Sequence, residues 1–205
     1  MEDVLDVYGL PYNPKRPLLC MDERPCQLIQ DVFQPIPIKK GRIKKIDHHY
    51  KRNGTCTLFV AFEPHTGRLF YKVYKRRTKK EYTKFMQMIA KAYSEAAKIL
   101  VVQDNLNTHT PASFYSNLPG NDAFKLTNRF EMHYTPVNAS WLNQVEIVLS
   151  VITRQCISKR IGSINELKNE IKLWAKSKNN KIKINWNYKK ENARKTFHKH
   201  YVNIA

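Results

Sequence analysis

The 205-residue chain carries 36 Lys/Arg against 17 Asp/Glu, a formal charge of +19, and is 42% hydrophobic and 11% aromatic. A chain of this size and apolar content suits one domain with a sizeable core and excludes a disordered polyelectrolyte. No apolar run reaches the ~20 residues of a membrane span, and the acidic start Met1-Glu2-Asp3 is unlike a secretory signal, so the expected location is cytoplasmic (nucleoid-associated in a bacterium), with no membrane partner.

Residues 1–17 hold Pro11, Pro14 and Pro17 and read as an extended lead-in. Leu18-Leu19-Cys20-Met21 is a short continuous apolar run, suited to a strand buried on both faces, and it ends in Asp22-Glu23. From Arg24 to Gly54 no period emerges. Pro35, Pro37, Gly41 and a basic run make residues 24–54 an excursion from the core. Thr55 to Phe62 and Arg68 to Tyr74 read as strands joined by the hairpin loop Glu63-Pro64-His65-Thr66-Gly67. Tyr82, Phe85, Met86, Ile89 and Tyr93 then form a helical stripe. Ile99-Leu100-Val101-Val102 is too short for a helix, reads as a strand and leads into Asp104.

Thr110-Pro111 opens a short helix that stops near Pro119-Gly120, and Phe130 to Tyr134 is the fifth strand. A helix begins just after Pro136, with Leu142, Val145, Leu149 and Ile152 on one stripe and Glu146 at its edge. Ser163 and Glu166 form a capping-box pattern ahead of the stripe Ile164, Leu167, Ile171, Trp174. A Lys/Asn-rich linker over 176–183 and a last helix over 190–201 complete the chain. Trp141, Trp174 and Trp186 read as packing residues. The cysteines (Cys20, Cys26, Cys56, Cys156) form no CxxC pair and lie at no zinc-like spacing from a histidine, so they read as reduced core thiols.

This element order resembles the ribonuclease H-like fold. That is an α/β class with a mixed five-stranded sheet flanked by helices, the first, fourth and fifth strands running parallel in the centre. The expected organisation is a lead-in over 1–17, a core over 18–160 that carries the excursion 24–54, and a basic helical extension over 161–205.

Two strands ending in aspartate would bring Asp22 and Asp104 side by side, because chemistry in open α/β sheets collects beyond the carboxyl ends of the strands. Glu146, alone an ordinary solvated helical glutamate, could reach the same point. Three oxygen donors without His or Cys suit Mg²⁺ or Mn²⁺. Two such ions are the usual device for displacement at a phosphodiester. Alternation puts Glu23 on the side opposite Asp22 and leaves it out of the set. Asn105 and His109 are auxiliary candidates. His109 could position DNA or the attacking water, or the loop could simply bond its own backbone.

The charge is clustered. Residues 39–52 carry seven Lys/Arg against one Asp, residues 72–84 seven against one Glu, and residues 153–205 fourteen against three Glu. One-signed clusters point to a polyanion, with DNA the expected partner. Lys39, Lys40, Arg42, Lys44 and Lys45, with Arg76, Arg77, Lys79 and Lys80, are the candidate phosphate contacts. The second run could instead be the solvated start of a helix, but its one-signed charge favours phosphate contact.

Several stretches carry a family resemblance: Asp22-Glu23, Val101 to His109 (VVQDNLNTH), Tyr134-Thr135-Pro136 and Ser140 to Glu146 (SWLNQVE). So do Arg52 to Thr55 (RNGT), Leu58 to Pro64 (LFVAFEP), Arg76-Arg77-Thr78, Arg154-Gln155-Cys156, Ile184-Asn185-Trp186 and Ala193-Arg194. Together they resemble the catalytic domain of IS630-type transposases of the Tc1/mariner group. The resemblance implies a DDE triad of Asp22, Asp104 and Glu146. It also implies metal-dependent DNA cleavage and strand transfer in cut-and-paste transposition, with insertion at TA by a homodimer. A non-transposing nuclease of the same fold and a catalytically idle DNA-binding remnant are the alternatives. Relatives carry helix-turn-helix modules ahead of this domain, and residues 1–17 leave no room for one. The expectation is therefore a separately encoded N-terminal part, or a truncated copy. Where the family commonly has His-Gly-Ser-Trp, this chain has Asn138-Ala139-Ser140-Trp141, which puts the local backbone geometry at issue.

Overall fold

The computed structural model describes residues 1–178 and 181–201; residues 179–180 of the expected linker and 202–205 of the expected C-terminal extension lie outside them. Five strands, β1 (Leu18–Asp31), β2 (Tyr50–Glu63), β3 (Arg68–Tyr74), β4 (Ile99–Gln103) and β5 (Phe130–Tyr134), form one sheet in the order β3-β2-β1-β4-β5. β1 to β3 pair antiparallel, while β4 runs parallel to both β1 and β5. This is the mixed, helix-flanked sheet of the ribonuclease H-like fold. β5 lies at the sheet edge rather than in its centre.

Alternation along the strands feeds two cores. Leu18, Cys20, Leu58, Val60 and Val102 face one side, where α1 (Glu2–Tyr8), α5 (Val145–Gln155), α6 (Ile164–Lys178) and α7 (Lys190–Thr196) supply Leu5, Val148, Ile171 and Ala193. Leu19, Met21, Phe59 and Val101 face the other, covered by α2 (Lys79–Ala92), α3 (Ala112–Tyr115) and α4 (Gly120–Arg129) through Tyr82, Phe85, Phe114 and Ala123. A last short helix, α8 (His198–Tyr201), follows α7. All four cysteines are buried free thiols. No helix among the described residues is long and apolar enough to cross a membrane.

Six local expectations are corrected. The lead-in opens with helix α1, whose Val4, Leu5 and Val7 are buried, so the prolines mark only its exit. The first strand does not end at Asp22. It continues to Asp31, its register with β2 running from Cys20↔Phe62 to Asp31↔Tyr50 with an irregularity between Gln27 and Ile29. The excursion therefore shrinks to residues 32–49, a flap in which Ile36 and Lys45, and Lys39 and Arg42, exchange backbone hydrogen bonds around Gly41 at φ 76°. Pro119-Gly120 begins a further helix, α4, which buries Ala123 and Leu126. Finally, α5 begins at Val145, and a 3-10 turn over Ser140–Leu142 replaces the turns expected after Pro136. In that turn Trp141 is 44% exposed, not core, with Tyr188 against it edge-on.

The departure at Asn138-Ala139 costs little backbone strain. Ala139 sits at φ −121°, which any residue adopts, and the left-handed position is Asn138 at φ 62°. Asn is among the residues that tolerate that region best.

Candidate metal centre

β1 is fourteen residues long, whereas β4 has five and pairs with it only over Leu18↔Leu100, Leu19↔Val101 and Cys20↔Val102. Beyond Cys20 the β4 side of β1 is open. Pro25, which has no N–H to donate, is tolerated there because the strand has become an edge. Carrying the register forward two residues sets Asp22 level with Asp104, on the face of the even-numbered core residues. The crevice where β4 leaves off is thus made by unequal strand lengths, not by two strands ending together.

Asp22 is half-buried, and its Oδ1 accepts the Glu23 backbone N–H at 2.7 Å. Asp104 follows the last residue of β4, with its side chain 34% exposed. Glu146 is the second residue of α5, partly buried, and the 3-10 turn ahead of that helix is tied to β1. The Asn143 side-chain amide donates to the Met21 carbonyl at 2.9 Å, and the Glu146 N–H returns to the Asn143 carbonyl at 3.0 Å. Tyr8 of α1 adds a second tie, its hydroxyl donating to the Leu142 carbonyl at 2.7 Å. Asn143 therefore fixes where α5, and with it Glu146, starts relative to Met21 of β1.

Asp22 feels the charges of the other two carboxylates, although the ligand atoms of the three do not all lie within 4.8 Å of one another. Burial raises the Asp22 pKa, the Glu23 N–H opposes it, and the charges of Asp104, Glu146 and Glu23 add to the rise, leaving it at about 7. Like-charge carboxylates held together in this way are stabilised by a divalent cation, and their all-oxygen donor set is the hard type that Mg²⁺ and Mn²⁺ prefer.

Alternation correctly places Glu23 on the opposite face from Asp22, but there it is not idle. Its side chain is 1% exposed and lies 2.7 Å from Nε2 of His109, whose Nδ1 is hydrogen-bonded to the Asp104 carboxylate. Burial lowers the imidazole pKa, yet the hydrogen bonds and charges of Asp104 and Glu23 outweigh it and push it up to about 9. His109 is thus neither a DNA-facing residue nor part of a loop that bonds only to itself. Glu23, Asp104 and His109 bring donor atoms within 4.8 Å of one another, but both imidazole nitrogens are already occupied by carboxylates. Asn105 is exposed beside them.

Lys39, Lys40, Arg42, Lys44 and Lys45 are all exposed on the flap that leaves the end of β1. Arg76, Arg77, Lys79 and Lys80 are exposed after β3, where Thr78 and Glu81 cap α2 reciprocally. Since Asp22 pairs with Val60 and Val60 with Tyr71, both basic segments leave the sheet at the end that holds the carboxylates.

A family model described as DDE superfamily endonuclease matches residues 17–168. The chain belongs to this superfamily of DDE endonucleases. Its members use divalent metal ions. Among solved structures, the fold is similar to the Mos1 mariner paired-end complex with Mn, at 15% identity and a TM-score of 0.56, covering 86% of this chain and 53% of that one. It is also similar to the Mos1 strand transfer complex, at 14% identity and a TM-score of 0.59, covering 86% of this chain and 52% of that one. At such identity the likeness shows the shared fold alone, and the DDE chain described here spans about half the length of these relatives. A comparison with curated proteins gives no match.

Proposed function

We propose that the chain is the catalytic domain of a DDE transposase, in which Asp22, Asp104 and Glu146 hold divalent cations against DNA phosphodiesters. The observation that supports this reading is that Asp104 and Glu146, carried on two other elements, both add to the rise in the Asp22 pKa at the open end of β4. Mg²⁺ or Mn²⁺, two ions in the full site, would supply the positive charge that lets an oxygen nucleophile approach a phosphodiester and an alkoxide leave. The chain's own part is placement. β1 fixes Asp22 through its pairing with β2, the loop after β4 presents Asp104, and Asn143 ties the start of α5 so that Glu146 faces them.

The flap residues Lys39, Lys40, Arg42, Lys44 and Lys45, with Arg76, Arg77, Lys79 and Lys80, neutralise DNA phosphates around the site. Recognition of transposon ends falls to a further N-terminal part, and the active assembly is a homodimer on paired ends. The greater length of the Mos1 relatives supports the first reading, and their paired-end complex supports the second.

The test is strand cleavage and strand transfer on duplex DNA with Mg²⁺ or Mn²⁺. Asp104→Asn should reduce cleavage about 10³-fold or more while leaving DNA affinity equal or higher, because one negative charge is gone. Joined products mark a transposase, and nicked products alone a nuclease. Undiminished cleavage by Asp104→Asn would remove the site from consideration.

A further inference from the structure

His109 is fully enclosed, although it follows a loop that is otherwise polar and partly exposed. Its position is over-determined. The backbone carbonyl accepts from Gln103 Nε2 at 2.9 Å and from the Tyr134 hydroxyl at 3.0 Å. Tyr82 donates to Gln103 Oε1 at 3.1 Å, which fixes the orientation of that amide. The imidazole lies against the Tyr82 ring, with centroids 4.9 Å apart, and Tyr82 in turn stacks on Phe114. A ring packed in this way cannot swing. Both of its nitrogens meet carboxylate oxygens, which only accept, so both must donate.

Asp104 is in the opposite situation. It stands past the end of β4, a third exposed, and among the described residues nothing but His109 hydrogen-bonds its carboxylate. Glu23, at the far end of the bridge, is held by the β1–β2 ladder through Glu23↔Phe59.

We propose that His109 is a positioning residue for Asp104, itself held by Glu23, so that Glu23–His109–Asp104 forms a brace from one face of the sheet to the metal-binding carboxylate on the other. The brace ties Asp104 Oδ1 to the imidazole and leaves Oδ2 without a hydrogen bond among the described residues. This rests on the reading of Asp22, Asp104 and Glu146 as the cation site. It assigns a task to Glu23, a buried carboxylate that takes no place in that set. Partners that orient a ligand from behind typically change metal affinity about 10- to 100-fold when removed.

The experiment measures Mn²⁺ binding to the metal-free chain by electron paramagnetic resonance, beside thermal unfolding of each variant. Asp104→Asn tests the underlying site, and wild-type Mn²⁺ affinity in that variant would remove the site and the brace together. His109→Gln keeps a donor toward Glu23 but loses the one toward Asp104, and should weaken Mn²⁺ binding about 10- to 100-fold. His109→Asn keeps a donor near the Nδ1 position and should recover most of that loss. If Asp104→Asn abolishes binding while folded His109→Gln binds as wild type, the site stands and the brace is wrong. ¹⁵N NMR of the wild-type imidazole covers the case in which the variants do not fold. Both ring nitrogens should stay protonated when Mg²⁺ is added, and loss of one N–H would mean that the cation sits on His109 itself, overturning the proposal.

Discussion

At Asp22, a proton would compete with the proposed cation for one carboxylate, and the direction of the pH dependence follows. Its pKa is raised from an ordinary 3.8 to about 7, so between those values the folded chain binds a proton that the unfolded chain has released. The stability it contributes is complete below about 4 and is lost as the pH rises through 7. His109, raised from 6.5 to about 9, acts in the same direction over the next window. The metal-free protein should therefore melt at falling temperature from pH 5 to pH 9. Asp22→Asn should flatten the part between 5 and 7, and a melting curve that keeps its slope there would refute the assignment. Mn²⁺ affinity should climb with pH by up to about tenfold per unit and level off above 7, since each ion displaces a proton below that point. Asn143 offers a purely structural counterpart. Its amide is 1% exposed, so Asn143→Ala leaves the Met21 carbonyl without its donor and should cost about 1–3 kcal/mol in urea unfolding.

Among the elements, those visible in the sequence were the ones with a single environment along their length. Ile99 to Val102 is apolar throughout because β4 is buried on both faces, and Tyr82, Phe85, Met86 and Ile89 are spaced for one helix face. β1 failed as a sequence pattern because it changes environment midway. It is a central strand to Met21 and an edge ribbon after it, where Cys26 and Leu28 alone keep the alternation. Asp22 and Asp104 stand out in the sequence because each follows an apolar run, whereas Glu146 is an ordinary helical glutamate there until the family resemblance is added. The Glu23–His109 pair could not be inferred, since 86 residues separate them and neither has a neighbour that marks burial. The flap shows what holds an element without a core. Arg160 donates to Asp31 Oδ1 at 2.6 Å on one arm and to the His49 and His48 carbonyls at 3.1 and 3.4 Å on the other, with its guanidinium over the Tyr50 ring. Arg160→Ala should free both arms. Trypsin should then cut at Lys39 to Lys45 several-fold faster while the melting of the core barely moves. Unchanged proteolysis would show that the bridges inside the flap suffice.

For the whole molecule, the charge of +19 predicts how it meets DNA. Binding should weaken steeply with salt and show little preference for sequence. Changing Lys39, Lys40, Arg42, Lys44 and Lys45 together to Gln should lower the salt slope by about 0.9 for each phosphate that is no longer neutralised. A slope that does not change would move the DNA path away from the flap. At the other side of the molecule, α1 and α7 are joined by Asp6 with Lys190 at 2.6 Å and Glu2 with Arg194 at 2.8 Å, and Trp186 packs on Tyr8. The first helix and α7 are thus neighbours in space although nearly the whole sequence lies between them. The order in which the chain is written is therefore interchangeable. A circular permutant that joins the end of α7 at Thr196 to Met1 by a short linker and opens between Lys40 and Gly41 should retain all four strand pairings with new ends at an exposed turn.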